Sequence, residues 1–267
     1  MLSKRQLKLI RSLALKKHRD ETRLFVAEGA KAVGDLMPHF DCTFLGMTPD
    51  FARRHPGLAG DETAELTQAE LERASFLQTP RDVIAVFRQP KIQTEGLEKW
   101  PQAELCLALD AVQDPGNLGT IIRIADWFGI RQVFCSPTTA DVFAPKVVQA
   151  TMGALSRVQA YYVDLPAFLK KLEGCSPVYG TFLDGTDLYS VPLSRHGIIV
   201  MGNEGNGISS AVEPLVTQRL FIPSYPPGQP TSESLNVAVA TAVTCAEFRR
   251  RTSTPHANGL HAIENLT

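Results

Sequence analysis

The chain has 267 residues, 44% hydrophobic and 21% charged, the balance of a globular protein long enough for two domains of unequal size, and this excludes a disordered chain. Its formal net charge of -1 gives no overall pull toward nucleic acid, no apolar run approaches the ~20 residues of a membrane span, and the basic start lacks the apolar core of a secretory signal. Five cysteines, Cys42, Cys106, Cys135, Cys175 and Cys245, are scattered without a C-x-x-C pair, which fits reduced thiols in a cytoplasmic protein, and His256 and His261 lack a thiol partner, so no metal site is expected.

In chain order, residues 4 to 23 set Lys4, Arg5, Lys8, Arg11, Lys16, Lys17, Arg19 and Arg23 against only Asp20 and Glu21. Such a basic patch is either a solvated helix face or a phosphate contact. Leu7, Ile10, Leu13 and Ala14 recur at helical spacing. RLFVAEG reads as a strand leading to a helix over residues 30–36, CTFLGMT as a second strand and DVIAVFRQP as another, a mixed unit spanning residues 1–88. Residues 89–103 are polar, carry Pro90, Gly96 and Pro101, and read as a linker. From 104 to 251, strands such as ELCLALDAV, QVFCSP, VQAYYV, VYGTFLD, GIIVMG and RLFIPS alternate with helical patterns. Their largely unbroken apolar character predicts an α/β domain with a parallel sheet covered on both faces. Residues 252–267 have no sustained period and are expected to fray.

Three stretches carry chemistry. In DPGNLGTIIRIADWFG, Asn117 is a good N-cap and Gly129 a C-terminal stop. Leu118, Ile121, Ile122, Ala125 and Phe128 form one apolar stripe, which turns Arg123 away from the sheet. In VMGNEGNGIS, the glycines 202, 205 and 207 match neither the dinucleotide fingerprint nor the P-loop. Glu204 makes a pyrophosphate an unsuitable guest, so the loop is either a plain turn or a seat for a ligand read by backbone groups and carrying positive charge. In the third stretch, Ser232 or Ser234 can cap a final helix rich in alanine and valine, expected to be buried among other elements. Asn236, in its first turn, needs a partner: its own helix or a ligand.

Taken together and in this order, N-x-G-x-x-x-R at Asn117 to Arg123, G-x-E-G at Gly202 to Gly205 and I-P…S-L-N-V at Ile222 to Val237 resemble the SpoU/TrmH-type RNA 2′-O-methyltransferases of the SPOUT superfamily. The resemblance spans about residues 104 to 250. It implies a deep trefoil knot in the α/β sheet, a homodimer packed through the knots, and S-adenosylmethionine as cofactor. By the same matching, Gly202, Ile222 and Leu235 contact the cofactor with Asn203 and Gly205 near it, while Arg123, Asn117, Glu204, Ser234 and Asn236 form the catalytic constellation. The first domain resembles, less specifically, a small α/β/α RNA-binding module of ribosomal proteins. That likeness implies RNA contacts for Lys4, Arg5, Lys8, Arg11, Lys16, Lys17 and Arg19, with ribosomal RNA as the expected substrate and tRNA as the alternative. A knotted protein that binds RNA without catalysis is a different class of function, and a dinucleotide-dependent enzyme is disfavoured by the glycine spacing. The loop PSYPPGQPTSES, residues 223 to 234, is longer than the compact loop common in the family.

Overall fold

The computed structural model describes residues 1–252 apart from Arg81, Gln93, Pro227, Gly228, Pro230 and Thr231. The expected frayed tail beyond Thr252, with His256 and His261, lies outside the described residues. The elements run α1 (Lys4–Ser12), α2 (Lys16–Thr22), β1 (Leu24–Glu28), α3 (Ala30–Leu36), β2 (Cys42–Met47), α4 (Pro49–Arg54), β3 (Glu62–Glu65), α5 (Gln68–Ala74), β4 (Val83–Arg88), α6 (Lys99–Ala103), β5 (Leu105–Leu109), α7 (Pro115–Trp127), β6 (Gln132–Cys135), α8 (Pro145–Thr151), β7 (Gln159–Tyr162), α9 (Leu165–Lys170), β8 (Val178–Asp187), β9 (Gly197–Met201), β10 (Gln218–Phe221) and α10 (Val237–Thr252).

The basic N-terminal stretch is two helices rather than one. Ser3 and Gln6 close a reciprocal capping box on α1, and Arg23 ends α2 in a left-handed conformation with φ 56°. Beyond them, β1-β4-β2-β3 form a four-stranded sheet in which only β2 and β3 are parallel. β3, with the sequence Glu-Thr-Ala-Glu, is a polar edge strand and has no apolar alternation to betray it. Alternate residues of this sheet face opposite ways: Val26, Phe44, Ile84 and Val86 pack with Ile10, Leu13 and Leu71, whereas Phe25, Ala27, Ala85 and Phe87 join the core of the second unit. The stretch read as a linker is also docked, since it contains α6, buries Leu97 and accepts a hydrogen bond at Pro101 O from Ser176 Oγ (2.6 Å).

The second sheet is wholly parallel, in the order β10-β8-β9-β5-β6-β7. β5 is buried along its length, Leu105, Leu107 and Leu109 on one face and Cys106 and Ala108 on the other. This is the unbroken apolar pattern of a strand covered twice. The strand order turns at β5 and β9: β5 leads outward to β6, whereas β9 leads past β8 to β10. The crevice beyond the carboxyl ends of such a pair is where α/β sheets receive ligands.

α7 starts in that crevice. Leu118, Ile121, Ile122 and Ala125 are fully buried, and Gly129 (φ 64°) follows the helix in the left-handed conformation that stops it. α10 is bound to α7 at both ends: Asn236 bridges to Asn117 (3.0 Å), and Arg249 donates to the terminal carbonyls of Phe128 (2.6 Å) and Gly129 (3.1 Å). The last helix is not buried all round as its composition suggested. Val237, Ala238, Thr241, Cys245 and Phe248 face inward, but Val239 is 50% exposed and Ala246 is exposed as well.

Two predictions follow from this packing. A Cβ on Gly119 would lie 2.4 Å from Ala150 Cβ and 2.9 Å from Val147 O on α8. Gly119→Ala therefore overpacks at a cost of about 1–3 kcal/mol, which outweighs the roughly 1 kcal/mol gained in helix propensity; an unchanged urea midpoint would refute the close approach. Burial pushes the thiols of Cys135 and Cys245 up to about 12, raises that of Cys106, and pushes half-buried Cys42 up to about 11, while Cys175 is exposed. Native protein at pH 8 should show one fast thiol toward an aromatic disulfide reagent, absent in Cys175→Ser.

Candidate active site

Two turns leave the switch point and are fastened to each other. After β5, Asp110 is buried (6% exposed), and Ala111 takes a left-handed conformation (φ 57°). After β9, Asn203 and Gly207 pair through two backbone hydrogen bonds (2.8 and 2.9 Å), and the hairpin is so tight that a Cβ on Gly202 would sit 2.2 Å from Gly207 C. Asn203 spans the gap: its Nδ2 donates to Ala111 O (2.8 Å), and its Oδ1 accepts from Gly205 N (2.9 Å) and Asn206 N (3.1 Å). Asp110 Oδ2 makes the second fastening by accepting from Ser209 N (2.8 Å).

The N-cap of α7 is Asp114, not Asn117. Asp114 Oδ1 accepts from Asn117 N (2.8 Å), with Pro115 at the first helical position. Asn117 lies inside the first turn, and its amide is free for other work. It donates through Nδ2 to Glu204 Oε1 (2.8 Å) and accepts at Oδ1 from Asn236 Nδ2 (3.0 Å). Asn236 then caps α10 through Oδ1, which accepts from Ala238 N (3.0 Å) and Val239 N (3.4 Å); neither Ser232 nor Ser234 caps it. Each orientation compels the next. A carboxylate only accepts, so Asn117 must turn its nitrogen to Glu204, its oxygen then needs the Asn236 nitrogen, and the Asn236 oxygen is left for the helix N-terminus.

The structure thus joins Asn117, Glu204 and Asn236. Ser234 and Leu235 are exposed beside them, Ile222 is half-buried against the core, Gly202 is buried, and Gly205 is exposed. Ser234 makes no hydrogen bond among the described residues. Arg123 is outside the hydrogen-bonded set: six residues beyond Asn117, or about 9 Å along the helix axis, it is exposed on the stripe Thr120, Arg123, Trp127, with Trp127 85% exposed. Asp110 and Asp114 were missed in the sequence. Their signal was available, an acid closing an apolar strand and an Asp-Pro pair opening a helix.

On the N-terminal helices, Lys4, Arg5 and Lys8 are exposed. Arg11 is exposed but donates to Ser75 O (2.8 Å) and lies 5.3 Å over the Phe76 ring. Lys16 and Lys17 pair with Asp20 and Glu21 at 2.7 and 3.9 Å. Arg19 does not belong to this surface: its side chain is 3% exposed and is paired with Asp141 at 2.7 Å.

Comparison with known proteins places the chain in a family. Residues 104–246 match the SpoU rRNA Methylase family, and residues 4–85 match the MRM3-like substrate binding domain. The Bacillus subtilis (strain 168) 23S rRNA (guanosine(2553)-2'-O)-methyltransferase RlmP is 33% identical over 243 residues, 90% of this chain and 94% of its own. A solved structure from Porphyromonas gingivalis, assigned to the TrmH family of RNA methyltransferases, superposes with a TM-score of 0.84 at 44% identity over 94% of this chain and all of that one. The AdoMet-bound rRNA methyltransferase from Sinorhizobium meliloti superposes with a TM-score of 0.81 at 31% identity, covering 95% of this chain and 97% of that chain. The chain belongs to the SpoU rRNA methylase family.

The amide relay separates two roles of Asn236. Asn236→Ala loses both the cap and the bridge and should cost about 1 kcal/mol in unfolding free energy. Asn236→Asp keeps the cap but sets a carboxylate against Asn117 Oδ1. Its stability should stay within about 0.5 kcal/mol of the parent, while the Asn117 side-chain amide resonance shifts; an unmoved resonance would show that the bridge does not form in solution.

Proposed function

We propose that this chain transfers a methyl group from S-adenosylmethionine to a ribose 2′-hydroxyl of ribosomal RNA, working as a cytoplasmic homodimer with a trefoil-knotted catalytic domain. The observation that carries this reading is the junction of Asn117, Glu204 and Asn236, drawn from three distant segments to the switch point of the sheet. A protein that merely bound RNA has no need of that junction.

The donor set suits the cofactor. Glu204 within the glycine loop disfavours phosphate, while the carbonyls of Gly202, Asn203 and Gly205 can accept hydrogen bonds, that of Asn203 through the lone pair not used by Gly207 N, and Ile222 and Leu235 contribute apolar surface. These five residues hold an adenine-bearing cation, and the cofactor when bound supplies an electrophilic sulfonium methyl. Arg123 grips an RNA phosphate and aligns the hydroxyl for in-line attack. A guanidinium offers donors and no acceptor, so Arg123 is no base: as the carbon–oxygen bond forms and the methyl–sulfur bond breaks, leaving a neutral thioether, the hydroxyl proton passes to water or a neighbouring group. Glu204, Asn117 and Asn236 hold the loops around that exchange, and the exposed hydroxyl of Ser234 stands beside them to meet the reacting groups.

The knot is supported by the path of the chain. β10 lies at the far edge of the sheet, yet Asn236 beyond it meets Asn117 at the start of α7, which also binds Glu204 of the loop that follows β9. The dimer is supported by the surface around Arg123, where Trp127 and Val239 expose apolar side chains on adjoining helices that a second copy would cover. Residues 1–88 serve as the RNA-binding domain and 104–251 as the transferase domain, with Lys4, Arg5 and Lys8 as phosphate contacts whose affinity falls with salt.

The test is incubation with methyl-labelled S-adenosylmethionine and separate unmodified rRNA and tRNA pools, followed by nucleoside analysis. Labelled 2′-O-methylnucleoside from rRNA is expected; label in tRNA alone would move the substrate, and no label with no cofactor binding would overturn the reading. Arg123→Lys should lower turnover by about 100-fold or more, with cofactor affinity held within about twofold. A matching loss of cofactor affinity would contradict the phosphate-gripping role.

A further inference from the structure

We infer that Arg19 and Asp141 form a latch that holds the RNA-binding unit in one register against the transferase unit, and so determines which nucleotide of a bound RNA meets the reaction centre. The inference rests on the RNA-methylating function proposed above. Arg19 sits in α2, and Asp141 lies 122 positions away in the β6–α8 loop. The guanidinium donates from Nε (2.8 Å) and Nη2 (2.7 Å) to Asp141 Oδ2, and from Nη1 to Leu13 O (2.7 Å) and Ala14 O (2.9 Å), the carbonyls of the turn between α1 and α2. One buried cation therefore clamps the helix carrying Lys4, Arg5 and Lys8 to the second sheet.

The loop that receives the cation is itself part of the site's foundation. Asp141 Oδ1 accepts from Phe143 N (3.0 Å). Next to it, Ala140 N donates to Val112 O (2.9 Å), Thr139 Oγ1 donates to Leu109 O (3.0 Å), and Ser136 Oγ accepts from Ala111 N (2.9 Å). Ala111 O in turn receives Asn203 Nδ2 (2.8 Å). The segment that anchors Arg19 thus also anchors the turn leading into α7 and the loop carrying Glu204. Beside the latch, Phe25 of the first unit meets Phe143 of the second with ring centroids 4.8 Å apart.

Cohesion of the two units does not need the ion pair, because apolar packing already joins them and a buried pair is weak evidence for stability. What the pair adds is direction. Apolar surfaces tolerate sliding, whereas a guanidinium shared by one carboxylate and two carbonyls accepts one placement. RNA held by the exposed cations of α1 is then offered at a fixed offset from Arg123.

Arg19→Lys and Asp141→Asn test the latch with in-vitro-transcribed large-subunit rRNA as the probe. The readouts are kcat and KM for RNA, the dissociation constant for S-adenosylmethionine, the thermal midpoint, and the positions of 2′-O-methyl groups mapped along the transcript. The expected result is a KM for RNA raised on the order of tenfold and label spread to neighbouring nucleotides, with kcat at saturating RNA and cofactor affinity within about twofold. Either variant that folds gives the answer. Unchanged KM and a single unchanged site would overturn the inference, as would kcat, KM and cofactor affinity all declining in step with the thermal midpoint, the mark of a merely structural pair. Wild type that labels no RNA would instead sink the proposed function, and the latch with it.

Discussion

The side-chain amide of Asn117 is the constraint on which the rest of the site depends. It alone touches both other members of the junction, donating a hydrogen bond to Glu204 and accepting one from Asn236. An amide is the side chain that can do this, since it places a donor and an acceptor a fixed distance apart on one rigid plane. Aspartate would repel Glu204, and a hydroxyl would be too short to serve both neighbours. The position of Asn117, three residues inside its helix, follows from Asp114 taking over the cap. Capping and bridging are thereby split between two residues that are equally good N-caps, of which only the amide can bridge.

The parallel sheet explains why these groups meet at all. β5 and β9 are neighbours in register from Leu105 opposite Gly197 to Leu109 opposite Met201, so the turns that follow them emerge side by side. Asp110 and Asn203 then tie those turns together before any ligand arrives. Preorganisation of this kind leaves little for substrate binding to rearrange. It also clarifies why a glutamate can sit among glycines: the loop is held by its own side chains and by the neighbouring turn, and needs no anion to order it.

Much of this was legible in the sequence. The stripe of Leu118, Ile121, Ile122 and Ala125 placed Arg123 on the outer face of α7, and Arg123 is exposed. The need of Asn236 for a partner was evident, with its own helix or a ligand as the alternatives; the structure shows the helix cap and adds Asn117, a partner the sequence did not suggest. Other features were hidden for physical reasons. β3 is a polar edge strand and carries no period. Arg19 looks in sequence like one more cation in a basic run, because nothing local distinguishes it from Lys16 or Lys17; only a carboxylate 122 residues distant decides that it is buried. Local patterns report the face of an element, and long-range pairs do not leave a local trace.

The last helix shows where composition misleads. Alanine and valine crowd it, and in a single chain that argues for burial on every side. Its inward face is indeed packed, on α7 above all, but Val239 is half exposed although it bears no polar group. Val239, and Trp127 on the neighbouring α7 at 85% exposure, are apolar side chains left in water, which stabilises nothing within one chain. Its composition makes sense if burial is completed by another copy of the chain, in which case the arginine between these side chains works in a cleft that two subunits share, and the apolar content of α10 is set by assembly as much as by folding.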